Sequence, residues 1–267
     1  MIDVSLLLVG AGNMGGAMLR HWLASGLPAE RITVVSPSGR PAPAGVKVVR
    51  EVPEPDAGLD YDVVLLALKP QQLAAVRGGA LSRHRPKVLM SVLAGVDEAT
   101  LSGLCEAEAV VRAMPNLPVA IGRGVTALYS SSQDATVREV AEALSSPLGL
   151  VEWIAEERLF DAVTALSGCG PGFVFRFVEA LASAGAALGL PKDQAMRLAL
   201  ATVDGSARMA IAAEEPPSVL ADRVASPGGS TRQGLNVLDR DDALVELMKA
   251  TLAASAKRNA ELAAAAR

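Results

Sequence analysis

Cysteine and histidine are scarce in this sequence, which has two of each among 267 residues. Cys105 and Cys169 cannot build a disulfide framework, and so low a thiol count is typical of a reducing compartment, so we expect a cytoplasmic protein. Both histidines precede residue 85. That placement leaves little material for a histidine-based metal site or a Ser-His-Asp triad, and we expect no bound metal.

A basic surplus and long apolar segments are also missing. The formal net charge is −4, without the positive footprint of a nucleic-acid-binding protein. Hydrophobic residues make up 51% of the sequence, yet none of their uninterrupted runs is long enough to cross a bilayer. The opening MIDVSLLLVG lacks the basic region of a signal peptide. These absences predict a soluble globular protein that binds neither nucleic acid nor membrane.

The first 155 residues alternate short, β-rich apolar runs with helical or irregular stretches. The Val, Leu and Ile content of these runs is nearly unbroken, which is typical of strands covered on both faces in a mostly parallel sheet. Alternation of such strands with helices indicates βαβ units. The predicted strands are 4–10, 31–36, 46–49, 62–68, 87–93, 109–114 and 124–130.

The character of the chain changes after about residue 156, where apolar residues take helical spacing. Helices are predicted over 173–190, 191–215 and 241–267, with Pro191 in a first turn. We therefore predict an α/β domain over 1–155 and an all-α domain over 156–267. The second domain is rich in Ala and Gly, so its helices can pack closely, either on a second subunit or within one bundle.

A glycine-rich loop follows the first predicted strand and opens a helix, with Gly10, Gly12 and Gly15 in the pattern G-x-G-x-x-G. The first glycine permits a tight turn, the second lets the backbone approach a pyrophosphate, and the third brings the helix close to the strand. The helix N-terminus attracts phosphate. This context predicts a Rossmann-type, dinucleotide-binding domain. A tight turn without a ligand is the alternative.

The stretch SPSGR, residues 36–40, stands where a dinucleotide-binding domain usually carries an acid for the ribose. No acid is present. Ser36, Ser38 and Arg40 instead offer hydroxyl donors and a positive charge, which suit a 2′-phosphate. The stretch therefore predicts NADP(H) as cofactor, with NAD(H) less favoured. An ordinary polar turn is the alternative.

The second half contains no histidine and only three lysines, Lys192, Lys249 and Lys257. Alcohol dehydrogenation needs a group that takes the hydroxyl proton. A cyclic imine can arrive already protonated and accept hydride directly, so the missing base favours C=N reduction. Lys69 in the first half could take the hydroxyl proton, so alcohol dehydrogenation stays open.

Two glycine-rich stretches mark the helical half. LSGCGPGF (166–173) indicates a helix start that packs closely or contacts a ligand. ASPGGSTRQGL (225–235) places Gly228, Gly229, Ser230 and Thr231 before a helix, where amides and hydroxyls converge on an anion such as a carboxylate. A simple N-cap by Ser230 or Thr231 is the alternative, and it is compatible with anion binding.

Five motifs in fixed order give the chain a family resemblance: GAGNMGGAM, LALKPQ, RAMPN, LSGCGPGFVF and SPGGST. Together they resemble the pyrroline-5-carboxylate reductase family over essentially the whole chain. The resemblance implies NAD(P)H-dependent reduction of 1-pyrroline-5-carboxylate to L-proline. It also implies a Rossmann domain and a helical dimerisation domain that interlocks with a second subunit, with dimers or rings of dimers.

The resemblance also implies roles for single residues. Thr231 is the candidate catalytic residue, because the family's threonine hydroxyl bonds the ring nitrogen, and Glu157 matches an acidic position near the substrate amine. The substrate carboxylate is expected at Gly228, Gly229, Ser230 and Thr231. The cofactor is expected at Val9, Gly10, Ala11, Gly12, Asn13, Met14, Leu68, Lys69, Pro70, Ala94 and Asn116, besides Ser36, Ser38 and Arg40.

The sequence departs from the family pattern at five positions, which are Cys169, Gly172, Phe173, Leu117 and Ser230. The loss of a tyrosine at Phe173 puts the substrate preference in question rather than the type of reaction. Three alternatives therefore stay open: a reductase of a six-membered piperideine carboxylate, a β-hydroxyacid dehydrogenase, and a catalytically silent NADP-binding paralogue. Against the β-hydroxyacid dehydrogenase, the sequence lacks the lysine that this family would need soon after LSGCGPG.

Overall fold

The computed structural model describes residues 4–55 and 61–266. Within those ranges eight strands form one sheet: β1 (Leu6–Val9), β2 (Ile32–Val35), β3 (Lys47–Val49), β4 (Val63–Leu66), β5 (Val88–Ser91), β6 (Ala109–Pro115), β7 (Gly124–Tyr129) and β8 (Gly149–Trp153). The α-helices are α1 (Asn13–Ala24), α2 (Glu98–Ser102), α3 (Ala135–Ser145), α4 (Phe160–Val163), α5 (Gly170–Ala187), α6 (Lys192–Ala212), α7 (Pro217–Arg223), α8 (Ser230–Leu238) and α9 (Ala243–Ala266).

The sheet has the order β3-β2-β1-β4-β5-β6-β7-β8. All neighbours are parallel except β6 and β7, which are antiparallel. The order reverses between β1 and β4, and dinucleotides bind at such a switch point, outside the carboxyl ends of the strands. The predicted Rossmann-type, mostly parallel sheet is confirmed.

The central strands are buried on both faces. Leu6 and Leu8 of β1 lie in one hydrophobic cluster with Trp22 of α1, whereas Leu7 and Val9 lie in a second cluster on the other face. Trp22 also donates a hydrogen bond through Nε1 to the Leu144 carbonyl, at 2.6 Å. The nearly unbroken Val, Leu and Ile runs of the sequence are thus explained by two covered faces.

All seven predicted strands are present, six of them shorter than predicted and β6 one residue longer, but sequence reasoning missed β8. This strand pairs in parallel with β7 from Gly124↔Gly149 onward. Its five residues alternate between half-buried and exposed, and they include the charged Glu152. A short, charged edge strand carries only a weak apolar signal, because a single face of it needs covering.

The chain divides into two compact units. One comprises the chain up to Cys169 together with the stretch from Ser255 onward, and the other comprises Gly170–Ala254. The predicted boundary at 155/156 thus lies before the division seen here. In the second unit α5 packs on α6 through four buried residues, Val178, Ala182, Ala195 and Ala199. Many larger apolar side chains of this unit are exposed; Phe175, for example, is 59% exposed.

Two helix starts differ from the prediction. Pro191 is the N-cap of α6 and not a first-turn residue. Asp241 and Asp242 have positive φ angles, and α9 begins after them at Ala243.

Within 4–55 and 61–266, no helix combines the length and the apolar content that a bilayer crossing requires.

Asp62 joins the starts of three neighbouring strands. Its Oδ2 accepts hydrogen bonds from the backbone N–H and the hydroxyl of Ser5, at 2.9 and 2.8 Å, and its Oδ1 pairs with Lys87 at 2.9 Å. Burial raises the pKa of Asp62, but the bonds from Ser5 and the Lys87 ammonium outweigh it, and the pKa lies below its ordinary value. The carboxylate form therefore stabilises the fold.

Replacement of Asp62 by alanine is expected to lower the free energy of unfolding by about 1–3 kcal/mol at pH 7. Because the folded-state pKa is depressed, the carboxylate's contribution is present above the unfolded pKa of about 4 and is lost as pH falls through the folded value. Urea unfolding of both proteins at fixed concentration, from pH 7 down to pH 2.5, should show the two curves converging at the acid end. A constant difference would contradict this role.

Candidate active site

The glycine loop (Gly10–Gly15) connects β1 to α1, and each of its glycines has a distinct geometric reason. Gly10 has φ +98°, and a Cβ there would lie 2.7 Å from the Ala67 carbonyl oxygen. A Cβ at Gly15 would overlap the Gly10 carbonyl oxygen. Gly12 is the N-cap of α1, and no atom lies within 4 Å of its Cβ position. The loop thus combines a tight turn, an open approach and close packing of helix on strand.

A cavity of about 440 Å³ lies beside this loop. It is lined by the loop and α1 on one side and by the segment after β2 on the other, including Gly12, Asn13, Arg20 and Arg40. Arg20 Nη1 lies 3.4 Å from the position that a Cβ would occupy at Gly16. Two arginines and the N-terminus of a twelve-residue helix therefore line one cavity, which suits a phosphate-bearing ligand.

Hydrogen bonds to Ser36 stabilise the turn 36–40 at the end of β2. Ser36 is 6% exposed, its carbonyl accepts from the Gly39 N–H at 2.8 Å, and its Oγ accepts from the Arg40 N–H at 3.2 Å. Arg40 is exposed and lines the cavity. Arg50 follows β3, and its Nη2 atom lies 3.6 Å from the position that a Cβ would occupy at Gly39. The turn therefore carries more positive charge than SPSGR alone provides.

Further predicted cofactor residues lie at the same carboxyl edge of the sheet. Leu68 and Lys69 follow β4, and the Lys69 N–H donates to Gln72 Oε1 at 3.0 Å, at the start of a short helical turn that opens with Pro70. Leu68 Cδ2 lies 3.1 Å from the Cβ position of Gly10. Since β4 is the neighbour of β1, these residues flank the glycine loop.

Ala94 and Asn116 follow β5 and β6. Asn116 is buried, and both ends of its amide are engaged: Oδ1 accepts from the Val125 N–H at 2.9 Å, and Nδ2 donates to the Ser167 carbonyl at 3.0 Å. Asn116 thus ties the end of β6 to the start of β7 and to a later segment. Ala94 packs beside the small cluster of Met114, Ala127 and Phe160.

Glu157 lies in an ion pair that the sequence did not predict. Its Oε1 accepts from Arg112 Nη1 at 2.8 Å and from the Glu98 N–H at 2.7 Å. Burial, followed by the nearby carboxylates of Glu98 and Glu157, raises the pKa of Tyr129 above its ordinary value. Arg112 and Glu157 are 45 residues apart. Only the pairing of strands brings them together, and no local pattern signals it.

The segment before α5 is itself helical, so the helix start predicted at LSGCGPGF continues an earlier helical stretch. Thr164–Gly168 forms a π-helical segment, which Cys169 closes by donating its N–H to the Thr164 carbonyl at 2.8 Å. Pro171 lies in the first turn of α5. Such segments recur at functional sites because they shift side chains out of the α-helical register.

The SPGG loop (Ser226–Gly229) precedes α8 in the second compact unit. Gly228 has φ +75°, the Gly229 N–H donates to the Ser226 carbonyl at 2.9 Å, and Gly229 is the N-cap of α8. The alternative of a cap by Ser230 or Thr231 is wrong, since no side chain caps this helix. Both hydroxyl-bearing residues lie in the first turn of α8 and are exposed. Their backbone N–H groups have no intrahelical acceptor.

Comparison with known proteins agrees with this geometry. Residues 157–262 match the family described as pyrroline-5-carboxylate reductase dimerisation, and residues 5–95 match NADP oxidoreductase coenzyme F420-dependent. The chain is 36% identical to the pyrroline-5-carboxylate reductase of Pseudomonas aeruginosa over 263 residues, with 96% of this chain and 95% of the relative covered. The chain belongs to the pyrroline-5-carboxylate reductase family.

Other relatives of this reductase family lie at similar distance. The Synechocystis sp. enzyme is 37% identical and covers 93% of this chain and 96% of its own. A solved pyrroline-5-carboxylate reductase from Coxiella burnetii is 33% identical, covers 97% of this chain and 98% of its own, and superposes with a TM-score of 0.86. The family assignment from the five motifs is therefore confirmed over the whole chain.

Family membership explains the exposed apolar helices of the second unit. The dimerisation match covers α5 to α8 and most of α9, and it confirms the predicted self-association. Assembly of dimers into rings stays a prediction. The match of residues 5–95 to NADP oxidoreductases likewise confirms the predicted NADP-binding first domain. Within 4–55 and 61–266 no group of His, Cys, Asp and Glu is arranged to hold a metal.

Sequence reasoning missed two cations that lie beside the predicted cofactor residues. Arg20 lies one helical turn after Gly16, the residue that follows the glycine loop, and this i, i+4 spacing was a usable signal. Arg50 reaches the 36–40 turn because β3 pairs with β2. That pairing cannot be deduced from neighbouring residues.

Proposed function

We propose that this protein reduces 1-pyrroline-5-carboxylate to L-proline with NADPH. The observation that carries the proposal is the membership of the whole chain in the pyrroline-5-carboxylate reductase family. The glycine loop and the two-arginine cavity beside it support the use of a phosphate-bearing dinucleotide. Bound NADPH supplies the hydride that converts the C=N bond of the ring into C–N.

The first compact unit supplies the groups that hold the cofactor in this proposal. Residues Val9 to Met14 line the pyrophosphate, and amides at the start of α1 contact it, as the open space around Gly12 permits. Ser36, Ser38 and Arg40 contact the 2′-phosphate. Leu68, Lys69 and Pro70 border the nicotinamide ribose, and Ala94 and Asn116 lie close to the cofactor. The buried strands under these loops keep them rigid, which favours alignment of the reacting atoms.

The start of α8 supplies the groups that hold the substrate. Backbone N–H groups of Ser230 and Thr231, with the turn formed by Gly228 and Gly229, bind the substrate carboxylate at the positive end of a nine-residue helix. The Thr231 hydroxyl accepts a hydrogen bond from the protonated ring nitrogen and so orients the C=N bond. No general base is needed, because the imine arrives already protonated.

An assay of NADPH oxidation at 340 nm tests the proposed function. Purified protein is mixed with pyrroline-5-carboxylate, and the six-membered piperideine carboxylate serves as the comparison. We expect loss of reduced-nucleotide absorbance, formation of proline, and a higher kcat/KM for the five-membered ring. A higher value for the larger ring would favour the alternative that Phe173 leaves open. No oxidation with either ring would refute reductase activity and leave the silent paralogue.

Replacement of Arg40 by alanine is expected to raise the KM for NADPH about 10- to 100-fold and to leave the KM for NADH within about twofold. A hydrogen bond between a charged donor and a phosphate contributes about 1.5–3 kcal/mol, which corresponds to that range. Steady-state kinetics with both nucleotides provide the measurement. Arg85→Ala, which removes an exposed guanidinium paired with Glu106, is the control. Equal KM values for NADPH in wild type and Arg40→Ala would refute the phosphate role.

A cytoplasmic location completes the proposal. It is supported by the two-cysteine composition, which suits a reducing compartment, and by the biosynthetic reaction proposed here. Fractionation of cells that produce the protein at native level, followed by immunoblotting, tests it. Recovery in a membrane or secreted fraction would contradict it.

A further inference from the structure

The Glu157 carboxylate is a structural junction. One oxygen, Oε1, accepts both from Arg112 Nη1 and from the Glu98 backbone N–H. The Arg112 side chain is 8% exposed and that of Glu157 is 30% exposed. A charge pair this close to the interior, with a backbone donor on the same oxygen, fixes the geometry of three segments, since charge-assisted hydrogen bonds are short and strong.

Apolar contacts strengthen the same junction. The Arg112 guanidinium carbon lies 4.3 Å from the centroid of the Phe160 ring. Phe160 is buried beside Met114 and Ala127, and Ala94 packs against this cluster. The single turn from Glu157 to Phe160 is therefore held at its start by the ion pair with Arg112 and at its end by the buried ring of Phe160.

Each tied segment continues into a proposed cofactor-side residue. Glu98 begins α2, four residues after Ala94. Arg112 lies on β6, four residues before Asn116. Phe160 begins α4, which runs into the π-helical segment, and Asn116 holds that segment through the Ser167 carbonyl at 3.0 Å. Glu157 and Asn116 thus secure the stretch 157–167 near its two ends.

We propose that Glu157, together with Arg112, is a positioning residue of the reductase site and not a substrate ligand. The pair sets the separation between the loop that carries Ala94 and the π-helical segment, and through them the alignment of cofactor and imine. This inference rests on the proposed function. Misalignment on the scale of 1 Å lowers turnover strongly, whereas it leaves binding of a carboxylate held elsewhere nearly unchanged.

The two roles for Glu157 predict different kinetics. A substrate ligand that bonds the amine would raise the KM for the imine when removed, and Arg112 would be irrelevant to that bond. A positioning pair would lower kcat when either member is changed, and the second change would add little, because the interaction is already lost.

The experiment compares Glu157→Gln, Arg112→Met and the double variant with wild type. Glutamine keeps an acceptor for the Glu98 N–H but removes the charge, and methionine keeps an unbranched apolar stem against Phe160. The control is Arg85→Met, which breaks an exposed pair with Glu106. Wild-type NADPH oxidation with the imine is measured first, so that failure of the proposed function is recognised separately. Assays are run well below each variant's measured Tm.

We expect each single variant to lower kcat about 3- to 10-fold with the KM for the imine within twofold, and the double variant to be no worse than the poorer single one. The control should match wild type. A tenfold rise in the imine KM for Glu157→Gln, with Arg112→Met unchanged, would overturn the inference. Wild-type kcat and KM in both, with only a lower Tm, would overturn it as well. If Arg112→Met does not fold, the kcat and KM of Glu157→Gln alone decide between the two roles.

Discussion

Replacement of Thr231 by alanine is expected to lower kcat for pyrroline-5-carboxylate reduction by about 100-fold, the typical effect of losing one hydrogen bond that orients or stabilises the reacting group. Thr231 lies exposed in the first turn of α8, and its side chain makes no capping bond. The Tm should therefore change little, because exposed substitutions away from such features usually change stability by less than about 0.5 kcal/mol. Steady-state kinetics and a thermal melt measure both quantities.

Thr231→Ser is the matched control. Serine keeps a hydroxyl at the same backbone position and loses only the methyl group, so it should retain most of the wild-type kcat. Ser230→Ala tests the neighbouring hydroxyl, which is expected to matter less because Ser230 contributes its backbone N–H. Wild-type turnover in Thr231→Ala would remove the Thr231 hydroxyl from the catalytic role and leave the backbone contacts to the carboxylate as the only role of this turn.

Replacement of Gly10 by alanine is expected to destabilise the protein by about 2–4 kcal/mol and to abolish measurable NADPH binding. Two causes add. Alanine at φ +98° is strained by roughly 1–2 kcal/mol, and its Cβ would lie 2.7 Å from the Ala67 carbonyl oxygen. Relief of that overlap must move either the glycine loop or β4. Urea unfolding and nucleotide titration followed by intrinsic fluorescence provide the two readouts.

Gly26→Ala separates the two causes. Gly26 has φ +94°, close to that of Gly10, but no atom lies within 4 Å of its Cβ position. This variant should show the conformational strain alone, with a loss of about 1 kcal/mol and normal nucleotide binding. Equal losses of stability in Gly10→Ala and Gly26→Ala, with NADPH binding intact in both, would mean that the close approach to Ala67 is unimportant.

What the sequence predicted well depends on residues that are close along the chain. The roles of Gly10, Gly12 and Gly15 follow from a strand, a turn and a helix in direct succession, and the structure has each of the three geometries. The seven strands were found because apolar runs reflect burial on both faces, whatever their partners. The helix after the SPGG loop was found for the same local reason.

What the sequence did not predict depends on long-range pairing or on small choices of backbone. Glu157 was matched to a substrate position, but the Arg112 contact depends on how β6 lies against the later chain. An N-cap of α8 by Ser230 or Thr231 was the alternative considered, because hydroxyls usually cap; in the structure Gly229 is the N-cap, and its N–H donates to the Ser226 carbonyl. Strand β8 is visible only once β7 is in place to pair with it.

The two borders of the eight-stranded sheet bear on how the protein behaves at high concentration. The border strand β3 has three residues and begins with the exposed Lys47, and β8 carries the exposed Glu152 at its fourth position. Short, charge-bearing edge strands resist edge-to-edge pairing with the sheet of another molecule, which is a common origin of fibrils. Assembly is thus directed to the helical half of the chain, and concentrated solutions should contain discrete oligomers instead of growing filaments.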